Sequence, residues 1–208
     1  MLYLASLAHG FAVSAALIIA IGAQNMFVLR QALRREHVGP IVLFCATMDA
    51  LLIALGVAGL GALLGQAPSL RLALSLGGAA FLGWYAVGAF RRALAPGALV
   101  AARGAQALTL GAALAQAAGF TLLNPHVYLD TVLLVGSIGA AEPVAAQPAF
   151  VLGAALASAS WFCALGYGGR MLAPLFAKPT AWKVLELAVG TTMLALAISL
   201  LLRAARQG

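Results

Sequence analysis

The chain has 208 residues, 64% of them hydrophobic and only 8% charged, whereas soluble globular domains carry roughly 25% charged residues. Such a chain is solvated by lipid, and at about 20 residues per crossing it has no room for a separate soluble domain. Twelve Lys and Arg against five acids leave a formal +7; the cations stand in short clusters between apolar runs and form no extended basic face, which argues against nucleic acid and for membrane orientation.

Charges and turn residues divide the chain into six apolar segments at about 2–29, 38–66, 70–90, 106–141, 146–174 and 182–202. The first segment has no Lys or Arg ahead of its apolar run, unlike a secretory leader, and is expected to remain as a span. Near its end it carries the polar cluster Gly22-Ala23-Gln24-Asn25. The second holds Cys45 and a single acid, Asp49, and Cys163 lies in the fifth. Cysteines inside apolar segments read as small core residues, not as a disulfide. The fourth segment exceeds one crossing and contains Asn124-Pro125-His126, so it is expected to break there.

With six spans, the connections after the first, third and fifth share one side of the membrane. They hold Arg30, Arg34, Arg35, Arg91, Arg92, Arg103, Arg170, Lys178 and Lys183; the other side holds Arg71, Arg203, Arg206 and Glu142. The positive-inside rule then puts both termini outside the cytoplasm.

Residues 1–93 and 106–205 resemble each other weakly. One offset sets Gly78 against Gly190 and Arg91 against Arg203, and aligning Gly56 with Gly166 sets Asp49 beside Ala159 and Ser160. Three spans per half make the second half enter from the opposite side, an inverted repeat within a single transmembrane domain. In such folds the substrate lies near the midplane, where discontinuous helices of the two halves meet.

These breaks hold the candidate chemistry. Gly22 tolerates non-helical backbone, and the amides of Gln24 and Asn25 can satisfy a freed carbonyl or bind a ligand's carboxylate and ammonium; a plain helix end near the surface, signalled by Arg30, is the bland reading. Asn124 and Pro125 read as an N-cap and first residue of a restarted helix, whose free amides suit a carboxylate. His126 and Asp130, four apart, share a face of that helix and could hold a proton or simply pair. Asp49 has no basic residue within several turns. A lone membrane acid serves a proton, a pathway or a cationic ligand, unless it is neutral and bonded across helices. No Walker loop, zinc spacing, catalytic triad or dinucleotide fingerprint occurs, so any transport is secondary or passive.

The stretches IGAQNMFVLRQALRREHV and TLLNPHVYLDTVLLVGSIG resemble the two signature blocks of the LysE/ArgO family of basic amino-acid exporters, with further likeness in CATMDALLIALGVAG and GGAAFLGWYAVGAF. Met26 stands where a small residue would follow the tetrad. The resemblance covers most of the chain and implies a cofactor-free secondary transporter in a bacterial cytoplasmic membrane, exporting L-arginine, L-lysine or both on the proton motive force. It assigns substrate contacts to Gln24, Asn25, Asp49, Asn124, Pro125 and Tyr128, and proton coupling to Asp49, His126 and Asp130. The expected partners are the amino acid, the bilayer and, in a homo-oligomer, further copies of the chain. The rivals are export of neutral amino acids or another small cation, an intramembrane enzyme using His126 and Asp130, and a structural subunit of a larger complex.

Overall fold

The computed structural model describes residues 1–19, 22–60, 68–94, 108–124, 127–172 and 179–207. Regular structure among them is helical throughout: α1 (Leu2–Ile18), α2 (Ala23–Arg34), α3 (Val38–Leu55), α4 (Pro68–Leu94), α5 (Leu110–Leu122), α6 (Tyr128–Ala140), α7 (Gln147–Cys163) and α8 (Pro179–Gln207). In lipid every backbone amide must be satisfied within its own segment, and Ala- and Leu-rich runs do this as helices. Helices α3 and α7 continue through π-helical turns at Gly56–Leu60 and Ala164–Gly168, and α6 opens as a π-helix over Tyr128–Val135.

Three stretches, Val38–Gly59, Val144–Met171 and Thr180–Leu202, are long and apolar enough to cross a bilayer, and α1 with α2, bent by 81°, makes a fourth when the pair is counted as one broken span. The chain is therefore an all-α, multi-pass membrane protein. The two other expected segments are filled by α4, whose 27 residues reach about 40 Å, and by the shorter apolar helices α5 and α6.

The expected interruption of the first segment is present. Gly22 is extended (φ −109°, ψ 171°) and starts α2 without a side-chain cap. Helix α2 ends at Arg35 in the left-handed region, where the amides of Arg35 and Glu36 return to the carbonyls of Ala32 and Gln31. The fourth segment is interrupted between Leu122 and Tyr128; Pro125 and His126, central to that reading, lie outside the described residues.

Packing is built on small residues. Helix α1 lies along α7, α4 along α8, and α7 crosses α3. A Cβ on Gly10 would strike the carbonyl oxygen of Phe150, and one on Gly153 that of Leu7, so the α1–α7 crossing exists only because both positions are glycine. The end of α6 meets the π-turn after α3 in the same way: a Cβ on Gly136 would sit 2.6 Å from the backbone of Gly56. One cluster of rings fills the centre. Phe120 packs at 5.1 Å against Phe27, 4.9 Å against Phe81 and 4.8 Å against Tyr85.

Arg30 corrects the charge count made from sequence. It belongs to α2 and is buried, so it is no interfacial marker. Arg103 and Lys178, counted on the same side, fall outside the described residues.

Candidate functional site

A cavity of about 260 Å³ lies where the two helix breaks approach each other. From the first break come Gly22, Ala23, Gln24 and Asn25; from the second come Asn124, Val127, Asp130 and Thr131; and α3 contributes Asp49. Residues separated by about one hundred positions in the chain thus share one wall.

Each break is held open by side chains that satisfy the backbone it frees. Asn25 Nδ2 donates to the carbonyl of Ile18, the last residue of α1, at 2.8 Å, while Asn25 Oδ1 accepts from Trp161 Nε1 at 3.3 Å. At the second break the Val127 amide donates to the Asn124 carbonyl at 3.0 Å, and the Tyr128 hydroxyl donates to the Leu122 carbonyl at 2.9 Å. Tyr128 is not among the residues lining the cavity; it bridges the break from the other side.

Gln24 Nε2 is buried and has no nitrogen or oxygen partner among the described residues, with only the thiol of Cys45, a weak acceptor, beside its side chain. A buried amide donor left so costs about 1–3 kcal/mol, which a ligand carboxylate would recover. The helix α2 that begins there is 12 residues long, so its first amides and positive dipole end add to the preference for an anionic group.

The opposite charge is supplied by acids. Asp49 is buried, and its Oδ2 accepts from Ser158 Oγ of α7 at 2.8 Å. It has no ion-pair partner, and the cavity has no Lys or Arg in its lining, among the described residues. Asp130 is exposed on the same cavity. Two carboxylates facing amide donors across a small space suit a zwitterion carrying an extra positive charge.

Several contributors were not singled out from sequence. Ser158 lies one residue from Ala159, which the repeat alignment had set beside Asp49. Thr131 and Ser14 add hydroxyls to the lining; as small polar residues in an apolar run they carry little signal. Glu186 is the larger omission. It is fully buried in α8 and binds two cations: Arg30 Nε donates to its Oε1 at 2.8 Å and Arg92 Nε to its Oε2 at 3.1 Å, with the Tyr85 hydroxyl 3.3 Å from Arg30. An acid inside an apolar segment marked Asp49; Glu186 stands in the segment 182–202 by the same signal and was not singled out.

An all-helical membrane protein with helix breaks meeting at a polar cavity has the architecture in which secondary transporters hold a solute. The chain belongs to the LysE type translocator family, whose model it matches over residues 15–204; these are transporters, not enzymes. It is 44% identical over 183 residues, 88% of this chain and 90% of the relative, to proposed amino-acid transporters of Mycobacterium bovis and Mycobacterium tuberculosis. It is 40% identical over 194 residues, 92% of this chain and 93% of the relative, to the proposed amino-acid transporter YggA of Aeromonas salmonicida. No solved structure matches the chain.

Proposed function

We propose that this translocator exports L-arginine, L-lysine or both across the bacterial cytoplasmic membrane, coupled to the proton motive force. The observation that carries this reading is the meeting of Asp49 and Asp130 with Gln24 and the start of α2 in one cavity with no Lys or Arg among the described residues that line it. The cargo's α-carboxylate lies against Gln24 and the helix start, and its cationic side chain against Asp49. The volume falls just below the roughly 300–1,000 Å³ of drug-sized sites, which suits one amino acid. Asn25 and Tyr128 hold the breaks in shape, Asn124 and Pro125 are assigned to the cargo's contacts, and Asp49, Asp130 or His126 takes up the coupling proton.

Transport follows alternating access between inverted three-helix halves, about 1–93 and 106–205, with six spans and both termini outside the cytoplasm. Corresponding contacts support the repeat: α2 meets the π-turn after α7 as α6 meets the π-turn after α3, and α3 faces α5 as α7 faces α1. The Asp49–Ser158 bond joins the second span of each half.

The aromatic cluster is the barrier between access states. Along α2, Phe27 lies one turn from both Gln24 and Arg30; in α5, Phe120 lies one turn from Gln116 and precedes Asn124, just past the helix end, by four residues. Gln24 and Asn124 line the cargo cavity, while Arg30 and Gln116 line a second cavity beyond. Counterflow of labelled arginine and lysine into proteoliposomes, against leucine and at several pH values, tests the reading. Uptake of the basic pair alone is expected; leucine uptake without arginine or lysine uptake would put the neutral-solute reading in its place.

A further inference from the structure

The second cavity, of about 330 Å³, lies on the far side of the Phe27–Phe120 barrier and has the opposite chemistry. Arg30, Arg34, Arg91 and Arg92 line it with Trp84, Tyr85, Val87 and Gln116. Glu186 binds Arg30 and Arg92, and Glu36 binds Arg34 at 2.8 Å. Four guanidinium groups less two carboxylates leave two positive charges uncompensated. Arg34 Nε is buried with no hydrogen-bond partner among the described residues, and so is the oxygen of the Gln116 side chain. A cationic cargo gains nothing from such a wall, whereas an anion does.

The lining also shows the direction from which the anion comes. Trp84, Val87 and Arg91 follow one another at three- and four-residue spacing on a single face of α4, and all three are exposed. An exposed Trp and Val below an exposed Arg form an apolar surface that ends in a cation, the arrangement of a lipid chain below its phosphate. Basic pockets between membrane helices hold anionic headgroups by this means.

We propose that this cavity binds the phosphodiester of an anionic phospholipid, seated on Arg34, Arg91 and Arg92, with an acyl chain along Trp84 and Val87. A headgroup hydroxyl donates to the Gln116 carbonyl oxygen. The bound phosphodiester, with its single negative charge, offsets one of the two uncompensated positive charges at the end of the pathway that the positive-inside rule makes cytoplasmic. The proposal needs the membrane fold but not the identity of the cargo.

The test is native mass spectrometry of the full chain in detergent, with phosphatidylglycerol and phosphatidylcholine offered at equal concentration and inorganic phosphate as competitor. Phosphatidylglycerol is expected to be retained in preference, and millimolar inorganic phosphate to leave it bound. Removing two cations, each contributing roughly fivefold, makes Arg34→Gln/Arg91→Gln bind it about thirtyfold more weakly. Equal retention of both lipids, displacement by inorganic phosphate, or unchanged binding in the double variant overturns the assignment. Should the double variant lose its melting transition, the exposed Arg91→Gln decides alone, with about fivefold weakening expected and none refuting it.

Discussion

Replacing Asp49 by Asn removes one charge at the cargo cavity and little else. Asn is the same size and keeps a carbonyl oxygen to accept from Ser158 Oγ, now 2.8 Å from Asp49 Oδ2, so the α3–α7 contact persists. A cation about 4 Å from the carboxylate would interact by ~4 kcal/mol at an effective dielectric of 20. Stripping water from both groups offsets part of that, and a hydrogen bond to a charged group nets about 1.5–3 kcal/mol. This corresponds to roughly 10- to 150-fold weaker arginine binding. The assay is concentration-dependent arginine counterflow in proteoliposomes, with the same measurement for lysine. Both half-saturation concentrations are expected to rise, while the size-exclusion profile stays that of the parent. Unchanged half-saturation and pH dependence in Asp49→Asn would refute a charge contact with the cargo and leave Asp49 a neutral bond across helices.

Phe120→Ala opens the barrier between the cavities: a fully buried ring is lost, at a stability cost of about 3–5 kcal/mol, and arginine flux is expected to become less dependent on the proton gradient, as measured with and without an ionophore. Gly153→Leu drives a side chain into the Leu7 carbonyl and is expected to abolish a monodisperse folded peak in size-exclusion chromatography, whereas Gly83→Ala, whose Cβ meets nothing, leaves it intact. Glu142, outside the spans, accepts from Ser6 Oγ at 2.6 Å and His9 Nδ1 at 2.7 Å, and these bonds, Ser6 first, hold its carboxyl below the usual range. A depressed carboxylate adds stability above its ordinary value, about 4.3, and loses it as pH falls through the lower folded value. Glu142→Gln therefore melts earlier than the parent at pH 7, and the gap closes in acid.

Much of this site was legible because polar residues are conspicuous in an apolar chain. Gly22 to Asn25 and Asn124 mark breaks for the reason they make them: a freed backbone needs amides, and Asn25 meets Ile18 accordingly. Asp49 stood out as a lone acid. What remained hidden depends on register and long-range contact. Ala, Leu and Gly give little to fix one apolar helix against another, so the bond of Asp49 to Ser158, 109 residues away, could not be read from sequence. Arg30 read as an interfacial charge because its partner, Glu186, lies 156 residues away. Tyr128 carried a substrate role by resemblance, yet its hydroxyl is engaged by the Leu122 carbonyl, a contact between the two sides of a break that spacing alone does not reveal.

A basic amino acid seated in the cavity between the two breaks would shield the side chains that line it. Thr131 lines it, Cys45 is buried, and exposed Cys163 can be removed. In a Cys163→Ser background, maleimide labelling of Thr131→Cys is measured in membranes with and without arginine. Arginine is expected to slow labelling several-fold, leucine to leave it unchanged, and the added Asp49→Asn to remove the protection. Labelling that proceeds at one rate under all these conditions would contradict that seating of the cargo.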